Sequence, residues 1–390
     1  MSAARAGGAS RSGRGRRAGA RAPRQRGGGR SRREAYEELG PTAEELAVPE
    51  LEAAFEPEFS DFADMPDVGE LEEGQALGRV VRLDRGYPLV VTPVGAVRAE
   101  HAIALVKGVD MRSCLGDWAV LRLPQGHDKA VIERILPRAS ELSRWDGRSR
   151  GQRQVLAANV DLVMVAQPLS DRPVSTERLA RSAVLAREGG MRIAALLTKA
   201  DRATPEGLAC DEAAVRACLG PDADVVVVSS RQGTGLDDVR ALLSAGHSGL
   251  LLGESGAGKS TLVNTLLGAE VLGTTEVRDC DDRGRHTTVA RRMFKLPGAG
   301  LVVDAPGLRS LHLLDEERGL ALAYPEVARL EEGCRFRDCT HGSEPGCMVR
   351  EGVAAGEVSE TRLAQYRALA AEMFENRRSL DYSAKSSITQ

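Results

Sequence analysis

The stretch Gly253-Glu254-Ser255-Gly256-Ala257-Gly258-Lys259-Ser260-Thr261 constrains this chain more than any other. It follows the apolar run 249–252 and leads into Leu262-Val263-Asn264-Thr265-Leu266-Leu267, so a buried strand, a glycine loop and a helix succeed one another. That order is the context of a phosphate-binding P-loop. The glycines let backbone N–H groups converge on an anion, and the helix N-terminus adds partial positive charge there. Lys259 is expected to reach the terminal phosphates, and Ser260 to place its hydroxyl on a magnesium ion bridging them.

Two further signals point to the same nucleotide. Leu301-Val302-Val303-Asp304-Ala305-Pro306-Gly307 is a hydrophobic strand ending in D-x-x-G, in which Gly307 can turn its amide toward a γ-phosphate. The apolar run 193–197 ends in Thr198-Lys199-Ala200-Asp201, close to N-K-x-D with Thr where Asn is usual. The Asp201 carboxylate can accept from guanine N1 and N2, donors that adenine lacks. Such a site should reject adenine by about 10⁴-fold, since the carboxylate would otherwise stay unpaired. The Lys199 stem would lie along the base, and the small pair Ser229-Ser230 follows strand 225–228.

The order of these motifs is inverted. The base motif comes first, then the P-loop, Thr287-Thr288 and Asp304 to Gly307, which is a circular permutation. A parallel sheet is indifferent to where its chain is cut, provided the nucleotide still meets the carboxyl ends of the strands. The cut also makes the segment after Asp304 lead straight into the C-terminal region, where nucleotide state should be felt.

That region carries Cys334, Cys339, His341 and Cys347 within fourteen residues. Three thiolates and an imidazole make a closed tetrahedral set that suits one structural Zn(2+) per chain. Helices over about 316–331 and 360–376 would pack on it, with Arg335, Arg337, Arg350 and Arg362 around it as an RNA-sensing surface. Cys114, Cys210, Cys218 and Cys280 show no disulfide spacing, as expected of a reducing compartment.

The net charge of -3 conceals two opposed tails. Residues 1–33 hold eleven arginines and no acid, and 34–75 hold fifteen acids and no base, so 1–75 reads as a disordered arm, basic then acidic. The basic part resembles RNA-binding segments, or serves as a solubilising tail. From 76 to 138, short alternating runs between turns suggest a small antiparallel barrel, with Arg79, Arg82, Arg85, Arg98 and Lys107 as possible phosphate contacts. A basic connector, 139–153, precedes a run 155–165 that is expected to begin the first strand of a βα domain reaching residue 310. A helical metal domain (311–380) and a tail (381–390) complete the expected division. No stretch approaches the roughly 20 apolar residues of a membrane span, and a cytoplasmic protein is expected.

Several motifs in this order resemble the circularly permuted, ribosome small-subunit-dependent GTPase family (RsgA), from about Gly78 to about Phe374. They are G-D-W-x-x-L from Gly116, A-A-N-V-D from Ala157, T-K-A-D, G-x-S-G-x-G-K-S-T, G-R-H-T-T, D-A-P-G and C-x4-C-x-H-x5-C. The resemblance implies an OB-fold barrel, a circularly permuted P-loop GTPase sheet and a C-terminal helical zinc-binding domain. It further implies a monomeric GTP hydrolase that binds the small ribosomal subunit and its rRNA late in maturation and is stimulated by the subunit. The alternative is a passive RNA-binding assembly factor in which nucleotide only orders the domains. An ATP-dependent kinase is disfavoured by Asp201. One of Thr287 and Thr288 would hold magnesium in the GTP state. Leu308 stands where many GTPases carry the water-orienting glutamine, leaving His286 as the nearest polar candidate in sequence.

Overall fold

A computed structural model describes residues 53–63, 65–84, 87–103, 105, 113–123, 129–146, 152–273, 291–304 and 311–388. All of them lie in the compact unit Leu46–Gln390. Alternating apolar residues between turns make five strands: β1 (Gln75–Asp84), β2 (Tyr87–Thr92), β3 (Gly95–His101), β4 (Trp118–Arg122) and β5 (Ala130–Ile135). They pair in the order β1-β2-β3-β5-β4, and β4 returns to β1 to close a five-stranded, OB-like barrel. Val80, Val90, Ala119, Leu121 and Ile132 fill its interior.

Two strands follow as a separate antiparallel hairpin, β6 (Glu141–Asp146) and β7 (Gln152–Ala158). The expected strand over 155–165 is therefore two strands. Asn159 adopts a left-handed φ of 52° and breaks the run, so that β8 (Leu162–Pro168) is the first strand of the nucleotide sheet.

From there the βα alternation continues with α1 (Thr176–Glu188), β9 (Arg192–Thr198), α2 (Pro205–Leu219), β10 (Asp224–Val228) and α3 (Leu236–Leu242). It goes on through β11 (Ser248–Gly253), α4 (Lys259–Leu267), β12 (Arg291–Lys295) and β13 (Leu301–Asp304). Strands β10, β9, β8, β11 and β13 are parallel neighbours in that order, β12 pairs antiparallel with β13, and Arg82 of β1 pairs with Arg292 of β12. Barrel and nucleotide sheet are one continuous ladder.

The C-terminal helices are α5 (Glu317–Ala323), α6 (Pro325–Glu331), α7 (Met348–Ala354) and α8 (Glu360–Ile388). The single helix expected over 316–331 is broken at Tyr324 because Pro325 has no N–H to continue it and restricts the residue before it. Arg362 is not part of a surface around the cysteines. It is 9% exposed, pairs with Glu326, donates to the Cys218 carbonyl at 2.6 Å and lies over the Tyr324 ring, stapling α8 to α2 and α6.

The acidic segment departs from the expectation of a chain that buries nothing. Phe62 is buried and, with Phe59, stacks edge-on against Trp118, while Asp61 pairs with Lys295 at 2.7 Å. Three phenylalanines within 55–62 supply the apolar surface that its charge count concealed.

The G-D-W and A-A-N-V-D motifs clamp barrel to sheet. Asp117 is fully buried and accepts from the Cys114 amide at 2.7 Å and from Arg138 at 2.7 and 3.0 Å. Gly116 has φ 89°, and a Cβ there would meet the Ala158 carbonyl oxygen at 1.9 Å. Asn159 donates to the Gly116 carbonyl at 2.9 Å, and Asp161 accepts from the Ser248 amide at 2.7 Å. Arg138→Met would leave the Asp117 charge buried without its partner, an expected loss of about 3–5 kcal/mol. Chemical unfolding of the purified variant measures this, and a loss below about 1 kcal/mol would mean that solvent compensates Asp117.

Candidate nucleotide and metal sites

Parallel pairing brings the motif-bearing strand ends to one edge, with Val228 opposite Thr198, Pro168 opposite Thr198, Gly253 opposite Ala166 and Asp304 opposite Leu251. Thr198, Lys199, Ala200 and Asp201 follow β9, Ser229 and Ser230 follow β10, and residues 254–258 follow β11. This edge includes the point between β8 and β11 where the chain reverses its direction of travel across the sheet, the usual place for a ligand in such folds.

The glycine loop has the backbone its sequence requires. Gly256 and Gly258 sit at φ 77° and 85°, and Gly253 approaches the Ala166 carbonyl too closely for a side chain. Lys259 opens α4 and donates from its amine to the carbonyls of Gly253 and Glu254 at 2.9 and 2.8 Å. Burial lowers the affinity of that amine for its proton, and the Asp304 carboxylate opposes the shift. Asp304 is buried in turn, which raises its pKa against the attraction of Lys259 and Arg292. Each group thus favours the charged form of the other. Ser260 and Thr261 lie in the first turn of α4.

The base motif is tied to the P-loop. Thr198, in the usual Asn position, is buried and donates from its hydroxyl to the Ala257 carbonyl at 2.7 Å. Lys199 adopts φ 58° and approaches Gly258. Asp201 accepts from the Ser229 hydroxyl at 2.7 Å, the main reason that its carboxyl is held below its ordinary pKa. The acceptor is therefore ionised and oriented at neutral pH.

Arg178, which no sequence pattern singles out, donates to the Glu254 carboxylate at 2.9 Å from the first turn of α1. Only the packing of α1 on β8 and β9, with β8 paired to β11, brings it to the P-loop. Gly307, His286, Thr287 and Thr288 lie outside the described residues. Of the barrel cations, Arg79 is buried beneath Phe62 and Trp118, and Arg82 and Arg98 pair with Asp84 at 2.6 and 3.0 Å. Arg85 and Lys107 lie outside the described residues.

Cys334, Cys339, His341 and Cys347 converge, with one ligand atom from each lying within 4.8 Å of the others. Cys334 Sγ is 4.0 Å from Cys347 Sγ and 3.8 Å from His341 Nδ1, and Cys347 Sγ is 3.5 Å from Nδ1. Tetrahedral coordination with Zn–S near 2.3 Å and Zn–N near 2.0 Å requires separations of about this size, so the donor set fits a structural zinc. Nδ1 is the inward nitrogen. Nε2 faces the Glu331 carboxylate at 3.9 Å, and Tyr366 donates its hydroxyl to that carboxylate at 2.7 Å, an outer layer that fixes the ring. Burial pushes the Cys339 thiol up to about 11, a shift that a bound dication would reverse.

Among known proteins, the RsgA GTPase family model matches residues 135–314. The chain is 42% identical to the small ribosomal subunit biogenesis GTPase RsgA of Streptomyces avermitilis, over 77% of this chain and 80% of that protein. It is also 42% identical to the protein of the same name from Streptomyces coelicolor, over 78% and 82%. YjeQ from Thermotoga maritima superposes with a TM-score of 0.60 at 24% identity, covering 77% of this chain and 99% of that one. The circularly permuted GTPase YloQ superposes with a TM-score of 0.57 at 20% identity, covering 79% and 98%. The two structures share the permuted fold, and identity of 42% over most of both sequences is shared descent: the chain belongs to the RsgA family of small ribosomal subunit biogenesis GTPases.

Proposed function

We propose that this protein is a GTP hydrolase that binds the small ribosomal subunit and its rRNA late in maturation, as a cytoplasmic monomer whose turnover the subunit stimulates. The observation that carries the nucleotide reading is the Thr198 to Ala257 hydrogen bond, which joins the guanine-reading segment to the phosphate loop in one rigid edge.

In this reading Gly253 to Gly258 cradle the phosphates, Lys259 neutralises the terminal ones and Asp201 reads the guanine edge beside Lys199, Ala200, Ser229 and Ser230. The oxygen donors of Ser260 and Asp304, one at the start of α4 and one at the end of β13, suit a hard cation, and Mg(2+) would supply charge neutralisation between the phosphates. Thr261 supports the same helix turn, and Thr287 or Thr288 completes the magnesium set. Gly307 contacts the γ-phosphate, and His286 positions the attacking water in place of the glutamine that Leu308 replaces. The metal knuckle holds the C-terminal helices as a rigid reader of RNA, with 76–138, 139–310 and 311–380 acting as the working units. A passive assembly factor would instead bind subunits without accelerated turnover.

Asp201→Asn removes the acceptor for two guanine N–H groups, so GTP affinity should fall by about 10²-fold or more while xanthosine triphosphate gains. Competition among GTP, XTP and ATP measures it, and an unaltered GTP preference would take Asp201 out of the site. His286→Ala should bind GTP and subunits normally but lose about 10²- to 10⁴-fold of subunit-stimulated turnover. Full stimulated turnover in that variant would refute the positioning role. Metal analysis should return one zinc per chain. Chelation or Cys339→Ala should loosen 330–350, read by hydrogen exchange, with GTP affinity retained. Protection unchanged by chelation would show that the cysteine knuckle stands without metal.

A further inference from the structure

Between two of the metal-site cysteines runs Arg335-Phe336-Arg337-Asp338, and all four residues are exposed. Phe336 leaves 41% of its surface in water and belongs to none of the buried hydrophobic clusters. The Arg335 guanidinium carbon lies 5.5 Å from the ring centroid. Other arginines of this region are committed to acids: Arg329 to Glu357 and Arg350 to Glu360, both at 2.8 Å, and Arg362 to Glu326 in the interior. Arg335 and Arg337 carry no ion pair among the described residues.

The loop is held still. Both of its ends are cysteines of the four-residue cluster, and the Arg335 amide donates to the Gly346 carbonyl at 3.0 Å. Glu344 accepts from the Thr340 hydroxyl at 2.5 Å, from the Thr340 amide at 3.0 Å and from the Gly342 amide at 2.7 Å, bonds that lower its carboxyl to about 2. A ring displayed on so fixed a backbone loses little freedom when it binds.

An exposed aromatic ring flanked by two guanidinium groups that pair with no carboxylate among the described residues suits a ligand that offers a flat π-face flanked by negative charges. We propose that Arg335-Phe336-Arg337 is a contact for single-stranded RNA, in which an unpaired base stacks on Phe336 and the neighbouring phosphates pair with Arg335 and Arg337. Duplex RNA hides its base faces and offers the ring nothing to stack on. The inference rests on the reading that the partner contains RNA, and it names the chemistry by which one point of contact would recognise it.

The test uses the full chain with its metal and a 12-nucleotide oligoribonucleotide carrying 2-aminopurine. Phe336→Ala should weaken single-stranded binding about 5- to 100-fold and abolish the quenching of the probe, with metal content unchanged. Phe336→Trp should restore both. Arg337→Ala should lower the slope of log affinity against log salt by about 0.7, the loss of one phosphate contact. Wild-type affinity and quenching in Phe336→Ala would overturn the proposal. So would a Phe336→Ala variant that keeps RNA binding but loses affinity for ribosomal proteins stripped of RNA. Turnover of the wild type with intact subunits reports separately on the GTPase reading. Stimulated turnover with no effect of Phe336→Ala on the oligonucleotide would sink the stacking contact alone.

Discussion

A buried carboxylate holds the two β-domains of this protein in register. Asp117 has no access to water and gains its compensation from one backbone amide and from Arg138, which also reaches Glu141 at 3.0 Å. An ion in such a place is costly unless every lone pair is used, and only one placement of strand β4 against the chain at 138–141 uses them. Around it, Gly116, Asn159, Arg79 and Asp161 continue the same polar seam to the first residue of β11. The barrel is thereby fixed to the strand that carries the P-loop.

At the carboxyl ends of the same strands lies a second polar set. Lys259 and Asp304 are both desolvated, and each favours the charged form of the other. Beyond Asp304 the chain re-enters the described residues at Leu311 and is bolted down within a few positions. Asn376 donates to the Leu313 carbonyl at 2.7 Å, and Arg377 to that of Leu314 at 3.3 Å. Both donors belong to α8. Permutation therefore makes β13, rather than a later strand of the sheet, the element that precedes the residues fastened to the longest C-terminal helix.

The cluster of three cysteines and a histidine ties the C-terminal helices together. The cluster binds α6 and α7 through Cys334 and Cys347, and its outer partners Glu331 and Tyr366 extend it to α8. Tyr366 stacks edge-on against Tyr324, the residue at the proline break between α5 and α6. The residue at which one helix breaks is thus a packing partner of another.

The linear sequence by itself determined the glycine loop, the strand that precedes it, the D-x-x-G strand and the barrel, because each depends on local spacing: glycines that permit left-handed turns and period-two alternation. The four metal ligands were legible as a cluster of three cysteines and a histidine, but their spacing is no standard finger, so their reading leaned on the family resemblance and their convergence is a finding of the fold. The sequence also carried the permuted order, since strand pairing at a carboxyl edge does not depend on where the chain is cut. Burial and long-range pairing were decided only in three dimensions. Arg79 and Arg362 read as surface cations until packing placed them under aromatic rings and against backbone carbonyls. The acidic segment hid Phe62 in its charge count, and Arg178 became a neighbour of Glu254 only when α1 packed on β8 and β9. Such choices turn on which distant residue desolvates a charge, and desolvation is a property of the surrounding volume that no spacing along the chain records.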